Sequence, residues 1–304
     1  MLAENLHRHH VFETLNSANK EKLFNWLNNA NLEILPYQKV FDGLSNVPID
    51  GRIFITSSPT KSAENTILFS QKLIESGRKV VVPHIAARHF TNPEHVAKAM
   101  ISLQNLNLNQ IFSIAGDNPE PSGQFKGSLD FLKEMQKQKI HFKRINIAGY
   151  PEGHPTISNK ILENNLLDKQ AWAQETKTEM SIITQMCFDS KKVVDWVEKI
   201  RKLGVKLPVV VGVSAKGIGL DKLLEFAKKS GVGDSINFLK SNPHLAFKLS
   251  MSTIFRKKYD TDDFLIELSK MTFEEHKIEG IHIFTFNNIV STMEWIQKSK
   301  DSLK

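Results

Sequence analysis

Cysteine is almost absent from this chain, with Cys187 alone among 304 residues. One thiol excludes an internal disulfide and any metal centre built on several cysteines, and it suits a reducing cytoplasm. Long apolar runs are missing too. The longest are a few residues of Val and Ile, far short of the roughly 20 that cross a bilayer, so no membrane association is expected. The N-terminal stretch MLAENLHRHHVFETLNSANKEKLFNWL breaks its apolar residues with charge and lacks the apolar centre of a signal peptide; it reads as a helical extension over residues 1–28. No GxGxxG or GxxxxGK[ST] occurs, which removes the usual fingerprints of Rossmann and P-loop nucleotide sites. No basic block alternates with aromatics, which argues against a nucleic-acid groove. Charge is only mildly unbalanced: 40 basic against 33 acidic residues give +7. The lysines are scattered over predicted helices, as on a solvated surface, with a weak pull on anionic ligands. His9 and His10 invite a metal reading, but no third ligand stands at suitable spacing, so none is expected.

Short β-branched runs are present in number. They predict strands at 31–35, 52–57, 79–83, 110–115, 144–149, 180–184, 208–213 and 280–285. Between them lie stretches with apolar residues every three or four positions, as at Val193, Val194, Val197 and Ile200, each giving a helix one stripe to lay on a sheet. Ser62 and Asn92 stand where N-caps belong, Pro93 fits a first helical turn, and Gly77 and Gly204 follow the stripes as stops. Residues 214–279 are too long for one helix and predict two or three, including LDKLLEFAKKSG and DDFLIELSKM. This rhythm predicts a (β/α)8 TIM barrel with an extra N-terminal helical segment, as a single domain over residues 1–304.

Polar residues follow these runs: Glu33, Thr56, His84, Asp117, Tyr150, His154, Gln185 and Asn287. At the downstream ends of parallel strands they meet at one rim, where a barrel carries its active site. Glu33 lies between Leu32 and Ile34, so alternation turns it into the barrel. Asp117 either serves chemistry or caps the turn before Pro119. A carboxylate on such a rim is partly desolvated, which raises its pKa and makes it an acid near neutrality. His84 and His154 are either ligand contacts or structural hydrogen-bonders. Gln185 offers a donor and acceptor suited to a heterocyclic amide edge. Cys187 has no base beside it and reads as buried packing.

The segments LEILP, ITSS, VPHIAAR, AGDNPEPSGQF, IAGYPEGHP, IITQMCFD, LPVVVGV and IHIFTFN, in this order, resemble the methylenetetrahydrofolate reductase family from about Glu33 to Asn287. The resemblance implies a barrel that holds FAD non-covalently, with NADH or NADPH and a folate using the flavin in turn. It implies reduction of 5,10-methylenetetrahydrofolate to 5-methyltetrahydrofolate, or the reverse. Residue by residue, Glu33 matches the general acid and Asp117 the carboxylate that contacts the pterin. Thr56, His84, Gly116, Asp117, Ala148, Tyr150 and His154 fall on flavin-lining positions, and Gln185, Phe226 and Phe284 on the substrate side. Association into a homo-oligomer is a further implication.

Several positions depart from the family pattern. Ala115 stands where Arg is usual, Gln174 where a flavin-contacting Lys is usual with Lys169 or Lys177 nearby, Asn288 in place of an Arg, and Phe284 in place of a Tyr. Two other readings therefore accompany the first: hydride transfer from NADH to the folate without flavin, and a non-catalytic folate-binding module serving a methyltransferase.

Overall fold

The structure, a computed structural model, describes residues 12, 14–57, 62–118, 120–154, 156–219 and 260–304. Eight parallel strands close into a barrel in sequence order: β1 (Asn31–Ile34), β2 (Arg52–Ile55), β3 (Val80–Ala86), β4 (Gln110–Ile114), β5 (Arg144–Gly149), β6 (Glu179–Met186), β7 (Val209–Ser214) and β8 (Ile278–Phe284). All eight predicted strands are there. The largest difference is at β3, which continues through Pro83 to Ala86. Proline's fixed φ is compatible with an extended chain and removes one donor only, so His84 sits inside the strand instead of after it.

The described helices are α1 (Ser17–Asn28), α2 (Ala63–Glu75), α3 (Pro93–Asn105), α4 (Ser128–Lys137), α5 (Asn159–Thr176), α6 (Ser190–Lys202), α7 (Thr261–Met271) and α8 (Ile289–Leu303). A 3-10 turn, Gln38–Asn46, joins β1 to β2 where the repeat would place a helix. Asn92 caps α3 by accepting from the His95 amide, with Pro93 in the first turn. Gly77 and Gly204 take φ of +91° and +95° after α2 and α6, the left-handed conformation that ends a helix at little cost to glycine. The whole predicted α6 stripe is buried: Val193, Val197 and Ile200 completely and Val194 nearly so. Each such side chain contributes about 1.5–3 kcal/mol. No described helix is long and apolar enough to cross a membrane. Residues 1–11, with His9 and His10, and the LDKLLEFAKKSG segment, with Phe226, lie outside the described residues.

Strand alternation sorts the side chains into two layers. Leu32, Ile34, Ile53, Ile55, Val81 and Ile111 face outward into the core shared with the helices. Phe54, Val82, Phe112 and Ile183 face inward and fill the barrel. Closure pairs β8 with β1 in the register Asn31↔His282, Leu32↔Ile283 and Glu33↔Phe284. Inward-facing positions of the first and last strands, 31 and 33 on one and 282 and 284 on the other, thereby become neighbours.

Candidate active site

Glu33 points into the barrel, as alternation with Leu32 and Ile34 requires. Its Oε2 accepts from His282 Nε2 at 2.9 Å and lies 3.6 Å from His84 Nε2, while its Oε1 accepts from the Thr56 hydroxyl at 3.2 Å. Strands β1, β3 and β8 and the end of β2 thus meet on one carboxylate. Rings wall this group in. Phe54 lies 4.9 Å edge-on from His282, Phe112 lies 4.5 Å from His84, and Phe284 lies 5.1 Å from His282. The Glu33 side chain keeps 12% of its surface exposed, against 4% for His84 and 0% for His282. Of the three groups, Glu33 is the most exposed toward the rim.

The carboxyl of Glu33 does not carry the raised pKa that its position on the rim suggests. Burial does push it up. The hydrogen bond from His282, the nearness of both imidazoles and the Thr56 hydroxyl together outweigh burial and hold it below the usual range. At His84 burial wins: it lowers the imidazole from 6.5 to about 4, the attraction of Glu33 only partly opposing. Its imidazole is neutral near pH 7.

Gln185 reaches the mouth through an irregularity of β6. The pairing runs Ile182↔Val209 and Ile183↔Val210, then Met186↔Gly212, so β6 holds one extra residue against β7. Such a bulge bends the strand and re-aims its side chains. Gly212 makes it possible, since a Cβ there would sit 2.5 Å from the carbonyl oxygens of Thr184 and Gln185. The buried Gln185 Nε2, His84 Nε2 and His282 Nδ1 have no hydrogen-bond partner among the described residues. Buried donors and acceptors are normally satisfied, so the orphaned atoms of His84 and Gln185 mark places for a polar ligand.

Asp117 is exposed on the loop after β4, so the desolvation expected for it is not met. Its charge joins burial in pushing the Tyr150 hydroxyl up to about 12. Gly116, with φ +94°, brings the loop close against β3, where a Cβ would meet that of Ala86 at 2.9 Å. Arg88 ties the loop down further: its guanidinium donates to the carbonyls of Asn118 at 2.8 Å and Lys126 at 2.9 Å. Tyr150 and His154 stand edge to face at 5.1 Å in the loop after β5. Asn287 is engaged elsewhere. Its side chain accepts from the Leu35 amide at 2.8 Å and donates to the Leu35 carbonyl at 3.1 Å, extending the β1–β8 seam as another strand residue would. Cys187 is fully buried, and burial pushes its thiol up, in keeping with packing.

A cavity of about 500 Å³ opens beside the downstream ends of β4 and β5, under α4, α5 and α6. Ala148 and Tyr150 line it; Thr56, His84, Gly116, Asp117 and His154 do not. Five cations, Arg88, Lys126, Lys169, Lys192 and Lys199, stand on its walls against the carboxylates Asp130, Glu163 and Asp195. Desolvation lowers Lys169 to about 8, a shift that an anion beside it would reverse. Gln174 and Lys177 are exposed in the last turn and C-cap of α5, next to the start of β6 and thus at the opposite end of the barrel. The cation facing the cavity from α5 is Lys169, and Arg88 supplies a guanidinium although position 115 is Ala. This donor set suits the phosphates of a dinucleotide such as FAD.

Eight parallel strands closed in sequence order and surrounded by helices make a (β/α)8 barrel, with a buried carboxylate at its mouth. The Methylenetetrahydrofolate reductase family model matches residues 54–300, and the chain belongs to that family. It is 29% identical over 111 residues to Methylenetetrahydrofolate reductase 2 of Saccharomyces cerevisiae, covering 34% of this chain and 18% of the yeast protein. It is 22% identical over 214 residues to a probable methylenetetrahydrofolate reductase (NADPH) of Caenorhabditis elegans, covering 67% and 30%. It is 22% identical over 135 residues to methylenetetrahydrofolate reductase (NADH) 1 of Arabidopsis thaliana, covering 40% and 22%. The matches span less than a third of each of these relatives.

Two groups at the site escaped the sequence reading. Arg88 follows β3 in a loop whose partner, residues 115–127, is not predictable from spacing. His282 did carry a signal: it alternates with Ile281 and Ile283 in a barrel strand, so it had to face inward, level with Asn31 and Glu33.

Proposed function

We propose that this chain, as one domain over residues 1–304, reduces 5,10-methylenetetrahydrofolate to 5-methyltetrahydrofolate with NADH or NADPH as donor. The observation that carries the reading is Glu33: a carboxylate inside an aromatic-walled barrel mouth, reachable from the rim, with the orphaned Gln185 amide on the downstream part of β6. Opening the five-membered ring of the folate breaks a carbon–nitrogen bond, leaves a cation on the pterin side and requires a proton at the departing amine. Glu33 is the group placed to pass that proton to the amine, although its own carboxyl is held below the usual range. Gln185 binds the amide edge of the pterin, Phe284 packs on it, and Asp117 at the rim stabilises the positive charge without reorganising. Walls of Phe54 and Phe112 exclude water.

Residues fitted to hold FAD are Lys169 and Arg88 toward its phosphates, with Ala148, Tyr150, His154, Gly116, His84 and Thr56 along the strand ends. Bound there, FAD supplies the two-electron carrier between the nicotinamide and the folate.

The test is a visible absorbance spectrum of the purified protein, followed by mixing with each donor and then the folate. Flavin bands that bleach with NADH or NADPH and return with methylenetetrahydrofolate support the whole reading. A colourless protein with Glu33-dependent turnover removes FAD and leaves direct transfer. Folate binding without Glu33-dependent turnover overturns the reductase in favour of a binding module.

A further inference from the structure

Glu33 has a neighbour that no folate reaches. His282 is completely buried, 2.9 Å from Glu33 Oε2, and separated from the rim by the carboxylate itself. The polar and titratable groups facing this couple are few. From β3 comes His84, at 3.6 Å; from the end of β2 comes the Thr56 hydroxyl, on the other carboxylate oxygen. From β1 comes Asn31, buried and inward-facing opposite His282 in the strand register, its Oδ1 without a hydrogen-bond partner among the described residues; the other walls are the rings of Phe54, Phe112 and Phe284. No Lys, Arg or second carboxylate influences Glu33 among the described residues.

A lone carboxylate costs several kcal/mol in such a place, and so does a lone imidazolium. A carboxylate and an imidazole that share one proton are neutral as a couple whichever atom carries it. We propose that Glu33 and His282 hold one transferable proton between them, and that this couple, with His282 as the positioning residue, is the proton donor to the departing amine of the folate. The inference rests on the folate reductase reading for its substrate, though the shared proton itself does not.

The carbon–nitrogen bond of the folate ring breaks, its electron pair stays on the amine nitrogen, and that nitrogen takes the proton from Glu33. A proton resident on His282 Nε2 crosses the 2.9 Å hydrogen bond as it does so. The couple is left as carboxylate and neutral imidazole beside the new cation on the pterin. His282 Nδ1 is buried with no hydrogen-bond partner among the described residues, so none of them carries the proton beyond His282. The couple stores one proton per turnover and regains it through the exposed side of Glu33.

Two coupled groups titrate as a pair, with apparent values that belong to neither alone. Two measurements test this. The first is the nitrogen NMR spectrum of ¹⁵N-histidine-labelled protein against pH, in the wild type and in Glu33→Gln. A His282 ring titration that changes with Glu33→Gln is the expected result; an identical titration in both proteins overturns the proposal, whatever the activity. The second is the pH dependence of kcat/KM in His282→Gln, which keeps a donor to Glu33 but holds no transferable proton. A fall in kcat of roughly 100-fold, a folate KM within about twofold, and a basic limb moved about one pH unit downward support it. Lost activity with an unmoved pH profile assigns His282 to packing alone. Absence of turnover in the wild type with either donor, together with a Glu33-dependent His282 titration, overturns the reductase reading and leaves the shared proton standing.

Discussion

Acid should weaken this barrel through His84 before it touches Glu33. The folded protein holds His84 neutral because burial lowers its pKa from 6.5 to about 4, while the unfolded chain protonates it near 6.5. A depressed value means that the unfolded state binds more protons between those limits. The contribution of His84 to stability is therefore complete above pH 6.5 and is lost as pH falls toward about 4. Each unit is worth about 1.4 kcal/mol, so lowering the pH to about 5 removes roughly 2 kcal/mol, and full passage removes about 3. Glu33, held below the usual carboxylate range, contributes stability that is lost only at lower pH, so the two effects separate. The assay is urea unfolding followed by tryptophan fluorescence, in wild type and His84→Gln, at about pH 7 and pH 5. Groups elsewhere titrate alike in both proteins and cancel in the difference. The wild type should lose about 2 kcal/mol more than the variant, a midpoint difference of roughly 0.7 M at an m-value of about 3 kcal/mol/M. Equal losses would refute the reasoning, because they would mean that His84 takes up its proton inside the folded barrel.

Other substitutions test the scaffold around the site. Gly212→Ala forces a Cβ to within 2.5 Å of two carbonyl oxygens, whereas Gly280→Ala meets nothing within 4 Å; urea unfolding should show a loss of about 1–3 kcal/mol or more for the first and under about 0.5 for the second. Asn287→Ala removes both side-chain bonds to Leu35 and should cost about 1–3 kcal/mol in the same assay, with a smaller loss showing that water replaces them. Lys169→Met removes a cation from the cavity wall: it should weaken FAD retention about tenfold or more, while the melting temperature holds or rises because a desolvated ammonium is gone. Unchanged flavin content in that variant would exclude the cavity as the phosphate site.

The barrel was legible because each strand carries the outward apolar alternation that helices cover and each α-helix carries one stripe, so local patterns and global fold agree. The exception, the 3-10 turn at 38–46, follows QKVFDGLSN, where Asp42, Gly43 and Ser45 offer no helical run. The inward direction of Glu33 was legible for the same reason. Its protonation was not, because the partners that set it lie on β3 and β8 and enter only through barrel register. Gln174 illustrates the converse: counting along a helix from a motif fixes the residue type to look for, but the side chain that reaches a cavity depends on which end of the helix faces it. Lys169 lies far enough from the C-cap of α5 to do so, and Gln174 does not.

Glu33 and His282 are 249 positions apart, and only closure of the first strand onto the last makes them neighbours. The seam that joins these strands is short: the Asn31–Glu33 ladder, the Thr285 hydroxyl donating to the Glu33 carbonyl at 2.6 Å, and the Asn287 clamp on Leu35. The proton-holding couple is thus built on the contact that completes the fold. A barrel open at this seam would leave Glu33 without its imidazole and return its carboxyl toward ordinary behaviour in water. Loosening the seam by Asn287→Ala should therefore disturb the titration of Glu33 and His282 even though Asn287 touches neither side chain. Packing variants remote from β1 and β8 should leave that titration unchanged at equal loss of stability. The comparison separates a local coupling through the seam from a general weakening of the barrel.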